Sequence, residues 1–364
     1  MKLTDIVKIR LASQLISRPR FDTVKDIAGW MGAMQAQDYA MVKWAVGLRL
    51  PDGDAQIVER AISKGEIIRT HLLRPTWHLV SADDIYWMLE LTAPRIRAGM
   101  KSRHRVLGLT ESLLERSNET IAKALEGKQL NREELISELK KAGIPTAGDN
   151  RASHMFRVAE LTGIICSGAS DGNKETYALL SERVPKATSL SREAALAALA
   201  RRYFNSHCPA TLNDFIWWSG LSVREAKQAL DLVKPDFVPE TIDSQNYWLP
   251  NSYELPGAGE QGVWLLPAFD EYLISYKDRS ASLPYKDFNK TVSNNGVFRP
   301  VVAVNGQVKG IWKRTIKKDR VVVETELFCK LGKTTLDKIE EAAAKYGRFL
   351  GKDVEISHRL ARSG

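Results

Sequence analysis

The stretch IIRTHLLRPTWHLV (67–80) predicts a β-hairpin, because two runs rich in β-branched residues flank a short break at Leu73–Arg74. The strands are expected over IIRTHL (67–72) and PTWHLV (75–80). Three segments with helical spacing of apolar residues precede the hairpin: residues 4–17, a segment that begins at Asp22 or Thr23, and residues 55–64. Three helices followed by a hairpin are typical of a winged helix, in which the third helix can enter the major groove of DNA.

The second of these helices carries an unusual polar residue. Val24, Ile27, Ala28 and Met31 form an apolar stripe at i, i+3, i+4 and i+7, and Gln35 falls on the same face at i+11. The sequence therefore predicts Gln35 on an apolar helical face. Its amide needs partners there, because a buried unsatisfied amide costs roughly 1–3 kcal/mol.

Gln37 follows two residues later, in the motif Gln35-Ala36-Gln37. Residues i and i+2 point about 200° apart in a helix but to the same side of an extended chain. If both glutamines serve one site, the helix must end or distort at about Ala36; otherwise only one reaches a ligand. The pattern Gln-x-Gln by itself is common by chance. The alternative to a shared site is that the glutamines hydrogen-bond backbone groups of a loop.

The order of three helices and a hairpin occurs twice more along the chain. The predicted elements of these copies are residues 112–126, 131–142 and 150–162 with strands 164–168 and 175–180, then residues 191–205, 210–219 and 222–233 with strands in DFVPET and NYWLP. Local signals support them: Asn131, Thr211 and Ser222 stand where helix caps belong, and Gly143 and Gly220 where helices stop. Asp171-Gly172-Asn173 indicates the turn of the second hairpin.

After residue 255 the pattern becomes β-rich. Strands are expected in residues 263–269, 297–304, 308–314 and 320–328, with a hairpin turn at Asn305-Gly306 and a closing amphipathic helix at 334–349. Pro256–Gly262 reads as a linker. The predicted fold is α+β: tandem winged-helix modules at 1–110, 111–187 and 188–255, then a C-terminal β-rich unit at 256–364 with a closing helix.

The composition restricts the class of protein. The 364 residues carry a formal net charge of +9, which suits a polyanionic partner. No run of about 18 apolar residues is present, and charged residues interrupt the N-terminal segment, so neither a membrane span nor a signal peptide is expected. Three widely spaced cysteines fit neither a disulfide framework nor a zinc pattern. We expect a cytoplasmic protein without a metal or cofactor.

Two clusters concentrate the positive charge. The first lies in RIRAGMKSRHR (95–105) and comprises Arg95, Arg97, Lys101, Arg103 and Arg105, with no acid among them. The second surrounds the predicted hairpin and comprises Lys309, Lys313, Arg314, Lys317, Lys318 and Arg320. Such clusters can neutralise phosphates and release counterions, although either could also be a solvated face. Together with the repeated modules they favour double-stranded DNA as the partner.

Four stretches of the chain resemble the bacterial AlkZ/YcaQ-type DNA glycosylases, also described as winged-helix DNA-binding domain proteins. These stretches are MGAMQAQDYAMVKWAVGLRL (31–50), HLLRPTWHLV (71–80), LLPAFDEYLISYKDRS (265–280) and NGVFRPVVAVNGQVKGIWKR (295–314). The resemblance implies a winged-helix body with a β-rich C-terminal part, curved around a basic channel. It also implies excision of alkylated purines, and in some members the unhooking of interstrand crosslinks formed at N7 of guanine.

The resemblance implies that Gln35 and Gln37 are the catalytic pair, because one branch of the family uses a Gln-hydrophobic-Gln motif. An N7- or N3-alkylated purine is cationic and already a good leaving group. The carbonyl of an amide can orient water and direct its dipole at the developing sugar cation. We expect Gln37 to orient the water and Gln35 to support the sugar or the water.

Other residues of the resembling stretches have weaker assignments. Asp38 is a candidate base or a helix cap, and Thr76 and His78 are candidate supporting residues, with a core-facing or backbone-bonded histidine as the alternative. Trp77 is expected in the core. Asp270, Tyr272, Asp278 and Arg279 are expected to form a structural network, with Lys277 and Arg279 as possible phosphate contacts.

The predicted activity is that of a monofunctional glycosylase that acts as a monomer on damaged duplex DNA and associates with the nucleoid. Two other functions remain open from the sequence. One is a non-enzymatic winged-helix DNA-binding protein, such as a transcriptional regulator, which would bind a defined operator. The other is a protein–protein scaffold, for which weak, salt-independent DNA binding would be expected.

Overall fold

The computed structural model describes residues 2–148, 150–172, 174–186, 189–253 and 262–361. Most of the predicted linker Pro256–Gly262, and Asn173 of the second hairpin turn, lie outside these residues. None of the described helices is long and apolar enough to cross a membrane.

The N-terminal part contains every element predicted for the first copy and three more. Its elements are α1 (Leu3–Ser13), α2 (Val24–Met31), β1 (Met34–Gln35), α3 (Tyr39–Arg49), α4 (Ala55–Ser63), β2 (Ile67–Leu72), β3 (Thr76–Ser81) and α5 (Ile85–Val106). The strands form an antiparallel sheet in the order β1-β3-β2. The predicted hairpin is confirmed, and its turn places Leu73 at a φ of 52°.

The sequence reasoning did not find β1, α3 or α5. Helix α3 is buried on nearly all sides, so it lacks the one-sided apolar stripe that marks a surface helix. Helix α5 carries the first basic cluster and contains Pro94, a residue that usually interrupts helices.

The second part follows the predicted order. It comprises α6 (Glu111–Leu125), β4 (Leu130–Asn131), α7 (Arg132–Lys141), α8 (Arg151–Leu161), β5 (Ile165–Ser167), β6 (Thr176–Leu179) and α9 (Leu180–Arg183). Asn131 caps α7, as predicted, by accepting hydrogen bonds from the backbone N–H groups of Glu133 and Glu134.

The third part also matches its prediction. It comprises α10 (Arg192–Ser206), α11 (Leu212–Ser219), α12 (Val223–Val233), β7 (Phe237–Ile242) and β8 (Gln245–Pro250). Thr211 and Ser222 cap α11 and α12, each within a capping box. Gly220 ends α11 in the left-handed conformation, with a φ of 68°.

The C-terminal part is one five-stranded sheet with a helix packed on it. Its elements are β9 (Val263–Leu266), α13 (Glu271–Ile274), α14 (Phe288–Thr291), β10 (Val301–Val304), β11 (Gln307–Ile316), β12 (Arg320–Leu327), α15 (Lys333–Leu350) and β13 (Asp353–Leu360). The strand order is β13-β12-β11-β10-β9, and the unpredicted β13 runs parallel to β12. The predicted turn at Asn305-Gly306 is confirmed, with φ values of 50° and 79°.

The largest hydrophobic core joins the two ends of the chain. Met34, Ala36 and Trp44 pack in the same buried cluster as Leu265 and Trp312. The α13 segment consequently lies against β1, which brings residues more than 230 positions apart to one site. The boundaries of the four predicted domains remain predictions.

Candidate functional site

Helix α2 ends before the glutamine motif. Met31 is its last residue, and Gly32 has a φ of 76°, a conformation that glycine adopts at little cost and that leaves the helix. The prediction that Gln35 continues the helical stripe of α2 is therefore wrong. Gln35 lies in β1 instead.

The motif is held by the hairpin of β2 and β3. Gln35 stands opposite His78 in the antiparallel pairing of β1 with β3. The N–H of Ala36 donates to the carbonyl of Trp77 at 2.8 Å, and the Ala36 carbonyl accepts from Arg69 Nε at 3.0 Å. Ala36 is thus fixed on both sides, which sets the backbone between the two glutamines.

Gln35 is buried, with 5% of its surface exposed, and its side-chain carbonyl and backbone N–H have partners. Its Oε1 accepts hydrogen bonds from Arg74 Nη2 and Thr76 Oγ1, both at 3.3 Å. Its backbone N–H donates to Glu271 Oε1 at 2.5 Å. Because the side-chain carbonyl already carries two bonds, the NH₂ group is the part of the amide left to donate to a substrate.

Glu271 is a site residue that sequence reasoning missed. Its buried carboxylate accepts hydrogen bonds from the Gln35 N–H, from Trp218 Nε1 at 3.2 Å and from Ser275 Oγ. Burial alone would raise the pKa of this carboxyl, but the interactions with His207, Ser275 and the Gln35 N–H lower it to about 2. The only signal in the sequence was an acid placed among the apolar residues of DEYLI.

His78 is fully buried beside Gln35. Its Nδ1 lies 3.0 Å from the carbonyl of Thr76, while its Nε2 has no hydrogen-bond partner among the described residues. Burial, and then the charge of Arg74, lower the pKa of His78 to about 3. The imidazole is therefore neutral near pH 7, and its geometry matches the backbone-bonded alternative.

Gln37 and Asp38 lie at the exit of β1. Gln37 is exposed, whereas Asp38 caps α3 by accepting from the Met41 N–H at 3.0 Å. Arg314 of β11 approaches Asp38 to 3.7 Å. This contact brings the second basic cluster beside the motif, and the helix-capping alternative for Asp38 is present in the structure.

Aromatic and charged side chains lie around the glutamine motif. The Arg69 guanidinium lies 4.2 Å from the centre of the Trp77 ring and forms an ion pair with Glu175. Trp77 packs against the main core but is only half-buried, so the prediction of a core residue holds in part. Tyr39, the first residue of α3, bonds through its hydroxyl to Glu59 at 3.0 Å. The motif is therefore surrounded by side chains from the N-terminal and the second part of the chain.

The two basic clusters have different surroundings. On α5, Ile96 and Met100 pack into a separate core with α6 and α8. The cations of this helix are exposed: Arg95, Arg97, Lys101, Arg103 and Arg105. In the second cluster Lys313, Lys317 and Lys318 are exposed, while Lys309 and Arg314 are half-buried.

The predicted network of the stretch 265–280 exists in part. Arg49 binds Asp270 through two nitrogens, each at 2.9 Å, in the core. The Tyr272 hydroxyl donates to the Gly306 carbonyl at 2.7 Å. Asp278 accepts only a local bond from the Ser280 N–H among the contacts of the described residues. In the described ranges no group of three or more His, Cys, Asp or Glu side chains could hold a metal ion.

Comparison with known proteins gives the family. The model of the DNA glycosylase AlkZ-like family matches residues 28–349 of this chain. The chain belongs to the AlkZ-like DNA glycosylase family. The sequence-based family assignment, and with it the prediction of a DNA glycosylase, is confirmed.

A curated relative and a solved structure agree with this assignment. The chain is 23% identical over 355 residues to an interstrand DNA cross-link repair glycosylase of Streptomyces sahachiroi, an alignment that covers 94% of this glycosylase and 95% of the relative. The solved structure of the DNA glycosylase AlkZ from the same organism has a TM-score of 0.81 at 20% identity, covering 99% of this chain and 100% of that one. The fold is thus that of AlkZ, with mixed α and β structure as predicted.

Proposed function

We propose that this glycosylase hydrolyses the N-glycosidic bond of cationic N7- or N3-alkylated purines in duplex DNA, and that interstrand crosslinks at N7 of guanine are among its substrates. Family membership and the crosslink-repair relative support the substrate class. The observation that carries the proposal is the Gln35 amide, fixed by Arg74 and Thr76 beside the exposed Gln37.

In the proposed reaction a water oxygen attacks C1′ of the damaged nucleotide. The bond from C1′ to the base nitrogen breaks, its electron pair neutralises the cationic base, and the proton of the water passes to solvent. Gln37 accepts a hydrogen bond from the water and so orients it. Gln35 donates from its NH₂ group to the water or the sugar. Positioning of this kind can contribute several kcal/mol.

The neighbouring residues support the glutamines and do not exchange protons. Thr76 and Arg74 fix the Gln35 amide, and His78 is neutral and buried behind it. Asp38 caps α3 and lies near Arg314, so we assign it to positioning the loop of Gln37. No cofactor or metal takes part in this scheme.

We propose that the DNA duplex is held by the three helix-and-hairpin units acting as winged helices around a basic channel. The contacts would come from the two basic clusters, Arg95, Arg97, Lys101, Arg103 and Arg105 on α5 and Lys309, Lys313, Arg314, Lys317 and Lys318 on and next to β11. The contact of Arg314 with Asp38 supports a path that runs past the glutamines. We expect a monomer that works at the nucleoid in the cytoplasm.

A glycosylase assay on matched duplexes tests the proposal. The duplexes carry 7-methylguanine, 3-methyladenine or a nitrogen mustard crosslink, and released base is quantified. We expect release by the wild type and by Glu341→Ala, an exposed residue of α15 outside the helix-and-hairpin units, but not by Gln37→Ala, which keeps its DNA affinity. If the wild type releases no alkylated base, the proposal is wrong, and footprinting at a defined sequence would then favour a regulator.

A further inference from the structure

Trp217 of α11 stands at the centre of a group of cations close to Gln35. Its Nε1 donates to the Ile274 carbonyl at 2.8 Å, which fixes the indole. Lys277 Nζ lies 5.0 Å from the ring centre, and the guanidinium carbons of Arg279 and Arg74 lie at 5.3 and 5.8 Å. Three positive charges thus surround one aromatic ring, and one of them also binds Gln35.

The nearby carboxylates that the structure describes form no ion pair with these cations, although the charges of Asp214 and Asp278 act on Arg279 and that of Glu271 acts on Arg74. Asp214 uses its carboxylate to accept the backbone N–H groups of Thr211, Lys277 and Asp278, and that of Glu271 is occupied as described above. Among the described residues, no ion pair within 4.0 Å includes Arg74, Lys277 or Arg279. The three cations therefore have no direct carboxylate partner in the described part of the chain.

Each of the two guanidinium groups has one nitrogen without a partner among the described residues, although Arg279 also donates to the carbonyls of Leu273 and Lys277. Arg74 Nε and Arg279 Nη2 are buried without a hydrogen-bond partner in the described part of the chain. Burial lowers the pKa of Arg279 to about 10, and the charge of Arg74 contributes in the same direction. A buried donor without a partner is costly, and an anion bound beside these two nitrogens would offset that cost.

We propose that Arg74, Lys277 and Trp217 form a binding site for one backbone phosphate of the DNA strand that carries the damaged base. The inference rests on the proposed function. Guanidinium and ammonium groups bind phosphate oxygens through charge-assisted hydrogen bonds, and an indole can stack against the neighbouring nucleotide. Because Arg74 also binds Gln35 Oε1, the bound phosphate would fix the distance between the strand and the catalytic amide.

Single methylphosphonate substitutions in the DNA test the site. Each duplex carries one neutral methylphosphonate at a different position around a 7-methylguanine whose sugar is 2′-fluorinated to resist hydrolysis, so affinity is measured without excision. We expect one position on the damaged strand to weaken wild-type binding about tenfold, the size of one charge-assisted hydrogen bond. Lys277→Ala should bind the all-phosphate duplex less tightly, lose no further affinity at that position, and show a salt slope smaller by about one.

Lys141→Ala is the matched control for Lys277→Ala. Lys141→Ala removes an exposed lysine of α7 that pairs with Glu138, and it should keep both the salt slope and the position-specific loss. If Lys277→Ala keeps the full position-specific loss, the cations around Trp217 serve only packing and the inference is wrong. A failure of the proposed function would appear differently, as absent base release with the phosphate position still detected.

Discussion

The backbone N–H of Gln35 donates to the buried carboxylate of Glu271, 236 residues later in the chain. The same carboxylate accepts from Trp218 of α11 and from Ser275 just after α13. One ionised group therefore joins the strand of the glutamine motif, the third part of the chain and the C-terminal part. The position of Gln35 depends on all three.

Glu271→Gln should disturb this junction without changing the size of the side chain. The new NH₂ group would face donors where an acceptor is needed, so we expect the free energy of unfolding to fall by about 1–3 kcal/mol. Base release should slow more than tenfold while DNA affinity stays within twofold, because Gln35 loses its support. Urea unfolding and single-turnover excision measure these effects. Glu119→Gln on α6, an exposed site, should leave both unchanged, and so would Glu271→Gln if the junction had no role.

Thr76→Val should slow excision by releasing one of the two bonds on Gln35 Oε1. The substitution keeps the shape of the side chain and removes only its hydroxyl, so we expect a loss of about 1 kcal/mol in transition-state stabilisation, about fivefold in rate. Single-turnover kinetics on 7-methylguanine duplexes measure it. Thr120→Val on α6, whose hydroxyl bonds to the Arg116 carbonyl, is the control and should retain the wild-type rate. An equal rate for Thr76→Val would show that the hydroxyl does not position the amide.

His78 should make the protein less stable in acid. Its pKa is about 3 in the folded protein and 6.5 in the unfolded chain, so the unfolded chain binds more protons between these values. The stability that the neutral His78 contributes to the folded protein is fully present above pH 6.5 and is lost as the pH falls toward 3. We expect His78→Leu to reduce the pH dependence of the free energy of unfolding between pH 6.5 and 4.5, by up to about 1.4 kcal/mol per pH unit. An unchanged slope in urea titrations would contradict this.

Gly220→Ala should displace the turn that carries Arg74. Gly220 has a φ of 68°, and a Cβ there would lie 2.7 Å from the Leu73 carbonyl oxygen. Gly127 has a φ of 65° but no atom within 4 Å of its added Cβ, so Gly127→Ala carries only the backbone cost, about 1 kcal/mol. We expect thermal unfolding to show a larger loss of stability for Gly220→Ala than for Gly127→Ala, together with slower excision. Equal losses would mean that the turn accommodates the methyl group.

The exposed lysines next to the β11–β12 turn should contribute to DNA affinity irrespective of sequence. Replacing Lys313, Lys317 and Lys318 by alanine removes three candidate phosphate contacts, so the slope of log K against log salt should fall by about 2.7. Binding titrations at several salt concentrations measure the slope. Alanine at Arg95, Lys101 and Arg105 on α5 tests the other cluster in the same way. A cluster whose removal leaves the slope unchanged does not contact phosphates.

The sequence by itself determined the elements whose signals are local. The hairpin at 67–80, the caps at Asn131, Thr211 and Ser222, and the turn at Asn305-Gly306 each depend on residues close together in the chain, and each is present in the structure. The resembling stretches also identified the family correctly. Such features can be predicted from the sequence because capping bonds and turn conformations involve only neighbouring residues.

Only the tertiary structure decided how Gln35 is held. Its strand has two residues and forms because β3 offers a partner edge, and its buried amide depends on Arg74, Thr76 and the distant Glu271. Helix α3 was missed for a related reason, since burial on nearly all sides leaves no one-sided apolar stripe in the sequence. Strand β13 was missed although its residues alternate between exposed and half-buried. Contacts between residues hundreds of positions apart depend on packing of the whole chain, and no local pattern encodes them.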